Sequence, residues 1–355
     1  MTKTRVLYAD LLRIISTFAV IILHTSASKW YITPVSSFEW QVFNIYDSMV
    51  RWCIPLFLML SGMFFLDPEK KISKKDIYSK YIYRVFCALV FWGIFYGLSI
   101  LLIKSIIGHT ELSIYDFAKI PAKIVFGPPC YHLWFLYAII GLYILTPLLR
   151  IFISACTKKD LEYYLVLFML FGTLLPLLNA VFHQIKPSLS INMSIAELSG
   201  FMGYFIAGYY FSKHDISRSM VNIIYVIAVV SMLITIVVTS FVSIHENQPI
   251  DFLYGYLLPN TMFSSYAVFL FIKTKLKGYS FEEKTANGII YVSSCTFGIY
   301  LVHYMFILIF SIPNISTLSF NPVFSVPLLS CVNFILSVLV VIVIKKIPKL
   351  NKSII

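Results

Sequence analysis

Charge is scarce in this chain. Only 12% of its 355 residues are Asp, Glu, Lys or Arg, while 59% are hydrophobic and the mean hydropathy is +0.85. Soluble domains carry about 25% charge and about 45–50% apolar residues, so an ordinary globular protein is excluded. A disordered chain is excluded more firmly, because disorder requires low hydrophobicity and high charge. Acidic residues are the scarcest: 16 Asp+Glu against 28 Lys+Arg, for a net charge of +12. Cysteine is present but unpatterned. Cys53, Cys87, Cys130, Cys156, Cys295 and Cys331 show no CxxC or CxxxC spacing, so neither a disulfide framework nor a metal site is expected. Gly/Ser linkers, internal repeats and an appended soluble segment are lacking too, and a single membrane domain is expected over 1–355.

What fills the chain is long apolar runs. A membrane-crossing helix needs about 20 mostly apolar residues. Ten stretches qualify, near 7–28, 47–66, 84–103, 132–153, 161–180, 196–212, 220–242, 254–272, 288–311 and 324–344. None alternates with the roughly ten-residue rhythm of an outer-membrane barrel, so the expected class is all-α, a polytopic bundle of about ten transmembrane helices. The first run is long for a signal peptide and contains Asp10 and Arg13, which marks it as a retained helix.

The basic residues divide between alternate loops. The N-terminus, the second, fourth, sixth and eighth loops and the tail hold 21 of the 28, and the five opposite loops hold only Lys29, Lys104, Lys119, Lys123 and Lys186. The positive-inside rule then puts both termini in the cytoplasm and requires an even number of spans. Sorted by side, the charge is near +13 inside and −2 outside. The excess is a record of insertion, and nucleic acid is not an expected partner. Membrane lipids are.

Ionisable side chains inside a span are costly, so each is a functional hypothesis. Asp10 and Arg13 stand i, i+3 on the first helix, close enough to pair. Arg13 and His24 are eleven residues apart, three helical turns and about 16 Å along one face. Arg51 falls at the start of the second run, where its bland role is an interfacial anchor beside Trp52. Ser61 and Gly62 are small residues suited to a helix crossing. His132 begins the fourth run among Tyr131, Trp134 and Tyr137, an aromatic belt that does not itself require a histidine. His303 ends the Ser-Ser-Cys-Thr-Phe-Gly-Ile-Tyr-Leu-Val-His stretch of the ninth run, about 22 Å from its inner start. Glu197 stands at a similar depth. His24, Arg51, His132, Glu197 and His303 thus come from five helices and share the outer third of the membrane, with Arg13 deeper. That arrangement points to chemistry on the outer side, fed by an anionic ligand from the basic face.

Arg-x10-His in the first helix, then Pro-Leu-Phe-x-x-x-Ser-Gly, His-Leu-Trp-Phe-Leu and Phe-Gly-Ile-Tyr-Leu-x-His in register, resembles the acyltransferase-3 family of integral membrane acyltransferases. The resemblance covers all ten spans and is strongest to stand-alone surface-polysaccharide O-acetyltransferases, such as the enterobacterial-common-antigen type. It implies an acyl-CoA donor, usually acetyl-CoA, with no resident cofactor. It also implies a hydroxyl acceptor on a surface polysaccharide or lipid-linked glycan outside a bacterial cytoplasmic membrane. Carried over by motif, Arg13 holds the donor, His24 acts on the acceptor hydroxyl, and His132 matches the His-Leu-Trp histidine. Some relatives have Arg-x-x-Arg in a cytoplasmic loop. Here Lys80 and Arg84 are similar in character but differently spaced, which leaves donor contacts there in doubt.

Transfer from a thioester to a hydroxyl needs a base, oxyanion stabilisation and delivery of both substrates. An imidazole suits the base, its ordinary pKa being near ~6.5. The expected mechanism is direct attack with His24 as base and Arg51 or His132 stabilising the oxyanion. Asp10 pairs Arg13, while Glu197, Tyr300, His303 and Ser61 are candidate substrate contacts. A route through acyl-His24 or acyl-Ser61 is less favoured. The alternative from another class is a secondary transporter of a small metabolite or glycan.

Overall fold

The computed structural model describes residues 6–108, 111–185, 200–348 and 354–355. Among them the chain is helical, with no strand. Helix α1 (Leu7–Ala27) contains no Pro or Gly and closes where the Ser28 hydroxyl donates to the Thr25 carbonyl at 2.7 Å. Its 21 residues reach about 31 Å, one hydrocarbon thickness. Next come α2 (Phe38–Val50) and α3 (Cys53–Phe65), then α4 (Tyr83–Gly108), which prolongs a π-helical stretch Ile77–Ile82. Helix α5 (Ile114–Phe126) precedes a 3-10 turn Tyr131–Leu133 that opens α6 (Trp134–Ala155). Helix α7 (Lys158–Leu167) runs through a π segment Phe168–Leu174 into α8 (Leu175–Ile185). The remainder are α9 (Met202–Lys213), α10 (Arg218–Glu246), α11 (Pro259–Leu276), α12 (Glu283–Ser293), α13 (Thr296–Ser311) and α14 (Pro322–Lys345).

Among the described residues, eight helical stretches are long and apolar enough to cross a membrane, and α12–α13, bent by 57°, makes a ninth if counted as one span. Of the sixth expected span, 196–212, only the part from residue 200 onward is described, with α9 in it, so Glu197 lies outside the described residues.

Three expected boundaries need correction. The second span does not open near 47: the helical stretch runs Phe38–Phe65 with its break at Arg51–Trp52. Glu39, Gln41, Asn44, Asp47 and Ser48 lowered the local hydropathy and concealed α2. Arg51 is consequently a mid-stretch residue and not a helix opener. The stretch of about 104–131, expected as a long outer loop that ends in the Gly127-Pro128-Pro129 turn before the fourth span, holds α5, started by a reciprocal cap between Ser113 and Asp116. The run 288–311 is broken at Ser294–Cys295 instead of continuous.

The tightest crossing is α3 on α9. A Cβ on Gly62 would stand 1.7 Å from the Phe205 carbonyl oxygen, and one on Gly208 1.9 Å from that of Met59. Only glycine permits backbone on backbone at this distance, so Gly62 serves the packing role read from its size.

Basic side chains tie one pole of the bundle together. Arg150 at the end of α6 donates to the carbonyls of Phe65, Asp67 and Lys70 at 2.6, 3.0 and 2.8 Å, satisfying groups left over by α3. Lys213 pairs with Asp67 and Glu69, and Lys273 donates to the Phe211 and His214 carbonyls. A hydrogen bond from Lys277, with its charge, holds the Asp215 carboxyl below its ordinary range. The ends of α3, α6, α9 and α11 therefore meet at the basic pole. The ends of α1 and α13 and the start of α6 meet at the opposite one, around a cavity.

Candidate active site

The cavity at the pole opposite the lysines measures about 680 Å³ and is lined by His24, Lys29, Tyr31, Arg51, Tyr131, Trp134, Asp251, Tyr256, Tyr304 and Asn333 among others. Aromatic walls with a few polar groups are the usual make-up of a small-molecule site. Trp134 and Tyr256 stack at 5.4 Å and 25°. At the rim, the Tyr31 hydroxyl donates to Asp251 at 3.1 Å, and partial burial together with that carboxylate raises the phenol above its ordinary range.

Three histidines from three helices meet beneath the floor. His24 is in the last turn of α1, His132 in the turn before α6, and His303 on α13. The His24 and His303 rings stack at 5.2 Å and 18°; His132 is 5.2 Å from His303 and 6.2 Å from His24. Of the three, His24 alone lines the cavity. His303 is fixed from behind: its Nδ1 lies 2.6 Å from the Tyr300 carbonyl. A carbonyl can only accept, so Nδ1 carries the proton and Nε2 presents its lone pair in the neutral ring. Asn333 donates to the His303 carbonyl at 3.1 Å, and the Tyr300 hydroxyl donates to the His132 carbonyl. His24 Nδ1, His132 Nε2 and His303 Nε2 are buried with no hydrogen-bond partner among the described residues. Orphaned buried nitrogens carry a desolvation cost, and three of them gathered at one floor need a functional explanation.

Arg51 reaches the wall from the α2–α3 break, but it is already engaged. Its Nε lies 2.5 Å from Asp47 Oδ1, its Nη1 donates to the Tyr254 carbonyl at 3.2 Å, and its guanidinium sits 4.0 Å over the Tyr254 ring. Asn44 and Ser48 complete this network through the Tyr254 hydroxyl. Asp47 escaped the sequence reading although it stands four residues before Arg51, the spacing at which an ion pair on a helix is expected.

A family model described as an acyltransferase domain (acyltransferase-3) matches residues 6–344, nearly the whole chain. The chain belongs to this family. No curated protein and no solved structure matches it. This acyltransferase is a multi-pass membrane protein and an acyl-transferring enzyme, and the transporter expectation gives way to that assignment.

The remaining candidate residues of the acyltransferase are not all near the histidines. Asp10 accepts from Arg13 at 3.1 Å and from Ser293 at 2.6 Å, joining α1 to the bend between α12 and α13. Arg13 is thus placed three turns from His24, toward the basic pole. Ser61 is near Tyr143, which lies within electrostatic range of Arg13 and Arg84. Lys80 is exposed and paired with Asp76 at 2.5 Å. Tyr300 is behind His132 and not on the cavity wall. Among the described residues, no three His, Cys, Asp or Glu side chains are arranged to hold a metal ion.

Proposed function

We propose that this acyltransferase moves an acyl group, acetyl in the simplest case, from cytoplasmic acyl-CoA to a hydroxyl of a surface polysaccharide or lipid-linked glycan. The chain sits in a bacterial cytoplasmic membrane with its basic pole inward. The observation that carries this reading is the placement of one helix. Helix α1 presents His24 at the cavity floor and Arg13 eleven residues away on the same face, toward the pole that attracts anions.

In this reading the acceptor enters the outer cavity, its sugar ring against Trp134 and Tyr256, whose apolar faces suit the C–H face of a pyranose. His24 accepts the hydroxyl proton as the oxygen attacks the thioester carbonyl. The tetrahedral intermediate collapses with cleavage of the C–S bond, and the CoA thiolate recovers a proton from His24. His303, locked in one tautomer and stacked on His24, holds the base in position. Arg51, on the cavity wall, is the group that faces the developing oxyanion. The resemblance to common-antigen O-acetyltransferases supports a glycan acceptor.

The test is paired. Acetyl-CoA raises the Tm of the purified protein, because a ligand that binds the folded state stabilises it. Mass spectrometry of surface glycans then shows an acetyl increment of the glycan in cells that carry the protein and none in cells that lack it. Unchanged glycans together with no Tm shift overturn the proposal.

A further inference from the structure

Ile354 and Ile355 lie beyond the matched domain, yet they are only 6% and 2% exposed. The Trp92 indole N–H donates to the Ile354 carbonyl at 2.9 Å, and the Arg84 Nε–H donates to the main-chain oxygen of Ile355 at 2.8 Å. Gly298 makes room on the other side: a Cβ there would meet Val341 Cγ2 at 2.8 Å and Ile355 Cβ at 3.3 Å. The pair therefore fills a slot between α4, α13 and α14.

That slot lies on a line from the basic pole to the histidines. Arg84, Ala88, Trp92 and Tyr96 are spaced by four on α4, sharing a face over about 18 Å. The Trp92 and Tyr96 rings are 5.7 Å apart, and Tyr96 is 5.0 Å from His132. Arg84 shares Tyr143 with Arg13 at the other end. The slot offers two N–H donors in file to the carbonyls of a thin, extended, apolar chain. The pantetheine arm of acyl-CoA is such a chain, with two amides in sequence, a thioester at one end and phosphates at the other. A lipid tail lacks the carbonyls and would leave both donors unmatched.

We infer that residues 354–355 occupy the pantetheine channel of the donor and act as an internal competitor, so that acyl-CoA binds only as they withdraw. This rests on the acyl-CoA reading above. A competitor that must leave first lowers apparent affinity by the fraction of molecules in which the channel is open.

The experiment uses the full chain in detergent with acetyl-CoA as probe. The double variant Ile354→Asp/Ile355→Asp ejects the pair, and the Kd for acetyl-CoA falls about tenfold. In that background Trp92→Phe removes the indole donor and raises the Kd again. An unchanged or higher Kd in the double variant overturns the inference. Ile355→Cys gives a second readout: the introduced thiol reacts slowly with a maleimide in the free protein and faster with saturating acetyl-CoA. Rapid reaction without donor overturns the seating of the pair. Slow reaction that acetyl-CoA does not change, while acetyl-CoA still raises the Tm, overturns the competition but leaves the acyl-CoA reading intact. Failure of acetyl-CoA to bind either protein removes both.

Discussion

The Asp47–Arg51 pair sets the electrostatics of the outer cavity, and its loss has a calculable consequence. The two side chains are 1% and 15% exposed, and their closest atoms are 2.5 Å apart. Asp47→Asn keeps the shape and an acceptor oxygen but removes the countercharge, leaving the guanidinium with neutral partners, the Tyr254 carbonyl and the Tyr254 and Tyr256 rings among them. Breaking one side of a buried pair costs about 3–5 kcal/mol. Arg51 is partly exposed on the cavity wall, which places the expected cost at the lower end, about 3 kcal/mol. Replacing both groups, Asp47→Asn with Arg51→Met, leaves no uncompensated charge and costs less than the two single changes together. The coupling energy of the cycle is then about 2–3 kcal/mol. Chemical denaturation of the four proteins in one detergent measures it. Additive single changes, with coupling below about 0.5 kcal/mol, would refute the claim that the two residues form one desolvated unit.

Three other outcomes follow from separate parts of the structure. Gly208→Ala brings a methyl against the Met59 carbonyl oxygen, 1.9 Å away; neither atom can rotate aside, so α3 and α9 must separate. The overpacking cost of about 1–3 kcal/mol outweighs the roughly 0.5–1 kcal/mol gained in helix propensity, and a variant with wild-type Tm contradicts the crossing described. Trp134→Leu removes the stacked platform and raises the acceptor KM about three- to tenfold, with the acetyl-CoA Kd unchanged; an equal rise in both removes Trp134 from the acceptor site. Arg13→Ala weakens acetyl-CoA binding about ten- to hundredfold, the range for a hydrogen bond to a charged group, and unchanged calorimetric affinity assigns Arg13 to structure alone.

Much of this architecture is written locally. Apolar length and the lysine alternation mark the spans because a bilayer enforces both. Polar exceptions in apolar runs mark His24, His132 and His303, which the fold brings within about 5–6 Å ring to ring. The concealed features depend on tertiary partners. Helix α2 can be too polar for a hydropathy window because Asn44 and Ser48 are satisfied by Tyr254 from elsewhere in the chain, and Asp47 by Arg51 at the helix end. The bend at Ser294–Cys295 has no proline to announce it and is held by Asp10 and Lys345, which bond Ser293 and Ser294. Tyr300 reads as a possible substrate contact from its motif, but its hydroxyl is spent on the His132 backbone. A motif carries the identity of a residue and not the direction in which it points.

The central claim is that His24 is the base at the floor of the outer cavity. It is tested most directly with purified His24→Ala protein, radiolabelled acetyl-CoA and the glycan whose acetylation depends on the wild-type chain. The account predicts that label transfer falls by about 10²–10⁴, while the Tm and the acetyl-CoA Kd stay near wild type. Transfer at the wild-type rate would contradict it.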